Sequence, residues 1–304
     1  MTRPSLLQRF LNLDRRWMFL LEAAVVVFAL VGPFGIGVRI TKPVNDFYRV
    51  IHQSDPSKPL LVAVDTPPAG LPELEPMIVT ILRHAFSRGQ PVILISLQME
   101  GVAISERLLN QVTGEINDRV LQTGRGEQLK SGVDYALLGF RAGFSSVIIS
   151  LGEEIRSVFP NDFYGTPLET MPLFQDTHNY DDMAAAIDIS WSSTPEAWVE
   201  YAGVTYGVPI LVGCTAVSAP QYYAYLQTGQ MAGLLGGLKG AAEYERITNN
   251  PGSAGRGMVA QLGVHALLVL AIVLGNLAFF ADRFMSSRRP PSSTGPTETD
   301  NLGA

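Results

Sequence analysis

The sequence predicts an α/β protein: a single doubly wound, mostly parallel sheet domain inserted between two transmembrane helices. Three observations carry this expectation. Short β-branched runs alternate with longer helical stretches through the middle of the chain. Those runs are apolar almost throughout instead of alternating, as in strands covered on both faces. Two further apolar stretches, each long enough to cross a hydrocarbon core of about 30 Å, flank them.

Charged residues make up 16% of the 304 residues, against the roughly 25% of an ordinary soluble domain. That shortfall directs attention to lipid. The flank 1–16 sets Leu6, Leu7, Phe10 and Leu11 among arginines, a basic amphipathic pattern that sets topology or lies on anionic lipid. Residues 17–38, "WMFLLEAAVVVFALVGPFGIGV", form the first expected span, with Glu22 as its one charge and Pro33 as a kink. A cleaved signal peptide competes for this stretch, but the run is long and no clear small-x-small site follows it. The second span is 257–281, in which His265 is the one ionisable side chain. The tail 282–304 is rich in Pro, Ser, Thr and Gly and is expected to be disordered.

Charge asymmetry orients the chain. The tails carry Arg3, Arg9, Arg15, Arg16, Arg283, Arg288 and Arg289, whereas residues 39–256 hold 15 Lys and Arg against 23 Asp and Glu. Both termini are therefore expected in the cytoplasm and the middle domain outside it. Arg39, Lys42 and Arg49, just past the first span, pull the other way.

Within 39–256 the elements follow in order. "PLLVAVDT" reads as a strand, "PPAGLPELEPMIVTILRHAFSRG" as a helix stopped at Gly89, and "QPVILISL" as the next strand. Ile104, Leu108, Val112, Ile116 and Val120 recur at helical spacing. "VDYALLGF" is a third strand; "AGFSSVIISLGEEIRSVF" fits either helix or strand, and "PNDFYGTPLETMPLFQDTHNYDD" reads as a long loop. "MAAAIDIS" and "VPILVGCT" complete five strands around the helix "TPEAWVEYAGVTYG", which Thr194 and Pro195 start. "APQYYAYLQTGQMAGLLGGLKGAAEYERI" reads as one last helix.

Ligands of an open parallel sheet gather outside the carboxyl ends of its strands. Asp65, Thr66, Gln98, Glu100, Arg141, Gly143, Ser190, Ser192, Thr215 and Ser218 fall there, and Asp65, Glu100 and Arg141 are the catalytic candidates. Capping and turn chemistry accounts for such residues equally well. In "DTHNYDD", Asp176, His178, Asp181 and Asp182 are candidate metal ligands, although their spacing matches neither a calcium loop nor H-E-x-x-H. A solvated acidic loop is the plainer account.

Several chemistries are disfavoured. One cysteine, Cys214, excludes an intramolecular disulfide and a cysteine-cluster metal site. No G-x-S-x-G elbow is present. No cofactor is implied: "VDTPPAG" lacks G-x-G-x-x-G, and "GLLGGLKG" lacks the G-K-[ST] of a phosphate loop. The acidic balance offers nucleic acid no basic stripe.

On a helix, Gly229, Gly233, Gly237 and Ala241 would form one small-residue stripe, widened by Gly236 and Gly240. About 14 apolar residues are too few to span a bilayer, so this run is expected to be a packing or interface face. These features together point to a non-catalytic, membrane-anchored binding or assembly component whose partners are other membrane-protein subunits or a second copy. The alternative is a membrane-anchored, hydrolase-like enzyme using the strand-end residues.

Overall fold

The computed structural model describes residues 14–32 and 37–287. Most of the basic flank, part of the first expected span and the expected tail beyond Ser287 lie outside the described residues.

The elements are α1 (Arg15–Val31), α2 (Lys42–Gln53), β1 (Leu60–Asp65), α3 (Leu71–Ser87), β2 (Val92–Ser96), α4 (Met99–Thr123) and β3 (Tyr135–Phe140). There follow α5 (Phe144–Leu151), α6 (Ile155–Val158), β4 (Ala185–Ser190), α7 (Thr194–Ala197), a π-helical turn (Trp198–Val204), β5 (Ile210–Cys214), α8 (Ala219–Gln227), β6 (Gly233–Gly236), α9 (Gly237–Ile247) and α10 (Ala254–Ser287). The chain divides into two units, 34–259 and the terminal segments 1–33 with 260–304.

In the first unit the six strands form one all-parallel sheet in the order β3-β2-β1-β4-β5-β6. β1 to β5 occupy the five apolar runs, since a strand buried on both faces must be apolar throughout. Residues of alternate parity serve two cores. Leu60, Val62, Leu94, Ile187 and Leu211 pack beneath α2, α3, α4 and α9. Leu61, Ala63, Ile93, Ala186 and Val212 pack against α5, α6, α8 and the π-helical turn.

The last helix departs from expectation. It is three elements, α8, β6 and α9, so Gly229, Gly233 and Gly236 lie off the helix that carries Gly237, Gly240 and Ala241. Gly229, at φ 76°, turns the chain after α8, a left-handed conformation that L side chains avoid. Gly233 lies in the added edge strand, where a Cβ would stand 2.4 Å from Phe47 Cα. Gly236 is closed off by Ala219, Gly237 by Ala216 and Glu73, and Gly240 by the Leu235 backbone. The β-branched signal for a strand is absent from "GLLG"; tight backbone approach to α2 replaces it. Two smaller differences occur: the segment read as a long loop contains three short 3-10 turns, and the helix from Thr194 widens into the π-helical turn.

α9 fastens both ends of this unit. Buried Glu243 accepts hydrogen bonds from Thr41 N–H and Oγ1, each 2.6 Å, and from Lys239 Nζ at 2.6 Å. Glu245 accepts from the N–H groups of Ala254 and Gly255 at 2.9 and 3.2 Å, satisfying two of the orphan donors at the start of α10. Arg246 donates to the Val38 carbonyl.

One helix among the described residues, most of it in the second unit, is long and apolar enough to cross a membrane. It is the stretch Ala254–Ala281, 28 residues with mean hydropathy 2.3 and only 6% of its most apolar window buried. A core helix of a globular domain would be mostly covered. α1 has 17 residues, with Trp17, Phe19, Phe28 and Val31 exposed, and Asp14 caps its start. A Cβ on Gly263 would lie 2.7 Å from Val25 Cγ1, so α1 and α10 meet closely there.

Candidate functional site

The strand order reverses between β1 and β4, the position at which open parallel sheets leave a crevice beyond their carboxyl ends. Two carboxylates stand there. β1 ends at Asp65, and β4 carries Asp188; Asp65 pairs with Ser190 and Ala63 with Asp188, so both acids project from the same face on diagonal positions. They are 0% and 1% exposed.

Each carboxylate holds one loop. Asp65 Oδ1 accepts from Leu97 N–H at 2.6 Å and from Ser96 Oγ at 3.3 Å, fixing the turn from β2 into α4. Asp188 Oδ2 accepts from Thr194 Oγ1 at 2.8 Å. That hydroxyl lies 2.7 Å from Ser190 Oγ, which in turn accepts from Ser192 N–H, so the turn after β4 is held as well. Gln98 Nε2 donates to Ser192 Oγ at 2.9 Å, joining the two loops above β1, and Trp191 N–H donates to the Asp65 carbonyl.

The other oxygens, Asp65 Oδ2 and Asp188 Oδ1, find no hydrogen-bond donor among the described residues. Two buried carboxylates side by side cannot both stay ionised without a cation. Burial pushes Asp65 up to about 7. Asp188 is raised well above the usual carboxylate range, by burial first and by the charge of Asp65 second. A proton held between the two carboxyls would give both unpartnered oxygens a partner.

Around this pair four large apolar side chains are exposed at the carboxyl edge, among polar ones that include Glu100 and Arg141. Met99 is 71% exposed, Phe144 46%, Trp191 47% and Val217 89%. Each lies within a few residues of the end of its strand: β2, β3, β4 and β5 respectively.

Of the expected catalytic residues, only Asp65 belongs to this site. Glu100 is exposed in the first turn of α4. Arg141 donates from Nε to the Val158 carbonyl at 3.0 Å and from Nη1 to the Phe140 carbonyl at 3.3 Å, and its guanidinium lies 5.0 Å from the centre of the Phe159 ring. β2 separates its strand from β1. Among the described residues no hydrogen bond or ion pair joins the three.

The acidic loop is held by local bonds. His178 N–H donates to Asp182 Oδ2 at 2.8 Å, and His178 Nδ1 lies 3.7 Å from Glu154. Asp181 N–H donates to Asn179 Oδ1. Asp176 and Asp182 line a cavity of about 410 Å³ with Lys58, Pro59 and Val133, at the amino ends of the strands. Among the described residues no three His, Cys, Asp or Glu side chains are placed to hold a metal ion.

Asp188 was not among the sequence candidates. Its signal is a lone carboxylate inside the apolar run "MAAAIDIS", where a buried charge requires a reason. Cys214 is buried beside the pair, and burial, Asp188 and Glu73 push its thiol up to about 12, which keeps it neutral. A second titratable cluster lies between α2, α3 and α9. His84 Nδ1 is 2.7 Å from the Tyr244 hydroxyl, His84 Nε2 is 3.5 Å from His52 Nδ1, and Tyr48 stacks on both imidazoles. No family model, curated protein or solved structure matches this chain.

Proposed function

We propose that the protein is a non-catalytic, two-pass membrane component whose α/β domain binds another membrane-protein subunit through the carboxyl edge of its sheet. The observation that carries this reading is the set Met99, Phe144, Trp191 and Val217, four large apolar side chains exposed at a single edge, the first two at helix starts and the other two on loops. Exposed apolar groups gathered on a rigid scaffold favour a macromolecular partner over a small polar substrate. The loops are themselves hydrogen-bonded, so little ordering entropy is lost on binding.

The hydrolase-like alternative needs Asp65, Glu100 and Arg141 to converge, and nothing in their placement favours it. Two-pass anchoring is supported by the close approach of α1 and α10 at Gly263, the small-residue contact that lets helices associate in lipid. Seventeen helical residues reach about 26 Å, close to the hydrocarbon thickness, with Arg15, Arg16 and Trp17 suited to one interface. Both termini are proposed to lie in the cytoplasm, with the domain outside.

The test is a pull-down of the full-length chain from solubilised membranes, with folding checked by thermal unfolding. Trp191→Asp combined with Val217→Asp is expected to remove a partner that the wild type retains. Val133→Asp, at the opposite edge, is expected to keep it. Equal retention by all three proteins contradicts the proposed surface.

A further inference from the structure

The two buried acids do more than terminate strands. One oxygen of Asp65 holds the loop that presents Met99, and one oxygen of Asp188 holds the loop that presents Trp191. Among the described residues one hydrogen bond, Gln98 Nε2 to Ser192 Oγ, joins the two loops directly above β1. Beneath that link, the remaining oxygens Asp65 Oδ2 and Asp188 Oδ1 have no donor among the described residues. Through its side-chain bonds each loop is thus tied to one carboxylate of the pair, with one further backbone bond from Trp191 N–H to the Asp65 carbonyl; the two carboxyls attract through a proton and repel without it.

We propose that a proton shared by Asp65 and Asp188 is a latch for the docking edge: with the proton in place the Met99 and Trp191 loops stay joined, and its release to solvent lets them separate. This rests on the docking role proposed above for its consequence, though not for the latch itself. The groups facing the pair offer no compensating charge. Ser96, Leu97 and Gln98 approach Asp65, and Thr194 approaches Asp188. From β5 and α8, Cys214 and Tyr222 are neutral groups, raised by burial first and by the Asp188 charge after it. Glu73 on α3 and Glu196 on α7 act on Cys214 and Tyr222 respectively, and both are acids. Full ionisation therefore places two negative charges together in an apolar interior, which opening to water relieves. The upward displacement of both carboxyls places this event at neutral to alkaline pH.

Amide hydrogen exchange on the detergent-solubilised full chain reads the latch without any partner. Protection, corrected for intrinsic exchange, is expected to fall about tenfold or more between pH 6 and pH 9 in segments 97–101 and 191–195, while the centres of β1 and β4 hold theirs. Asp188→Asn, which supplies an amide donor in place of the proton, should remove that difference, and Asp65→Asn serves where the first variant does not fold. Equal protection at both pH values in the wild type overturns the proposal. So does a uniform fall across the sheet, or an undiminished fall in a folded variant. Capture of a partner fails or survives separately: a missing latch with Trp191-dependent capture intact condemns this inference alone.

Discussion

At the scale of residues, two buried titrations act on stability with opposite slopes. Asp65 is protonated in the folded domain up to about 7 and ionised in the unfolded chain above 3.8. Its contribution is complete below that lower value and is lost as pH rises towards 7. His84 behaves inversely. Burial first, then the charges of His52 and Arg88, take it from 6.5 down to about 4. Its contribution is complete above 6.5 and is lost as pH falls towards 4. Asp188, raised in the same direction by burial, adds to the Asp65 slope, so the wild-type unfolding temperature should fall between pH 4 and 6.5, with His84 offsetting only part of the loss. Asp188→Asn should weaken the falling limb, leaving the Asp65 and His84 slopes to oppose and a midpoint that changes less with pH over that interval. A thermal unfolding series across pH measures this directly, and a variant with an unchanged profile would separate the pair from the stability of the domain.

At the scale of elements, the β-branched runs made β1 to β5 legible because burial on both faces demands continuous apolar sequence. β6 was not legible, since "GLLG" carries none of that signal and four-residue glycine spacing imitates a helix face. What the spacing could not reveal is that Gly233 makes room for the α2 backbone. Gly233→Ala should accordingly cost about 1–3 kcal/mol through overpacking, read as a lower unfolding temperature of the solubilised chain. The joint between α9 and α10 is equally specific. Glu245→Ala leaves the N–H groups of Ala254 and Gly255 without partners and should cost about 1–3 kcal/mol. Glu245→Gln, which keeps one acceptor oxygen, should cost less.

At the scale of the whole molecule, periodicity and apolar length reveal the sheet class and the carboxyl-terminal apolar helix, because both are properties of contiguous residues. The site is different in kind. Asp65 was legible as a strand end, yet its partner Asp188 lies 123 positions along the chain and meets it only through β1–β4 pairing. Arg141 looked equally near in the sequence order of strand ends, and the order β3-β2-β1 holds it away. For the same reason the exposed apolar edge is invisible until four loops are brought together. Reporter fusions at the carboxyl terminus and within the domain test the anchoring: opposite compartments are expected for the two positions, and a shared compartment contradicts the two-pass reading. The docking edge itself is tested most directly by photo-crosslinking in native membranes, with the reactive side chain placed in turn at Trp191, Val217 and Val133. A discrete adduct from positions 191 and 217, absent at 133 and competed away by unlabelled wild-type protein but not by the Trp191→Asp, Val217→Asp variant, is the predicted result. Adducts of equal yield from both edges, or none from the carboxyl edge, would contradict it.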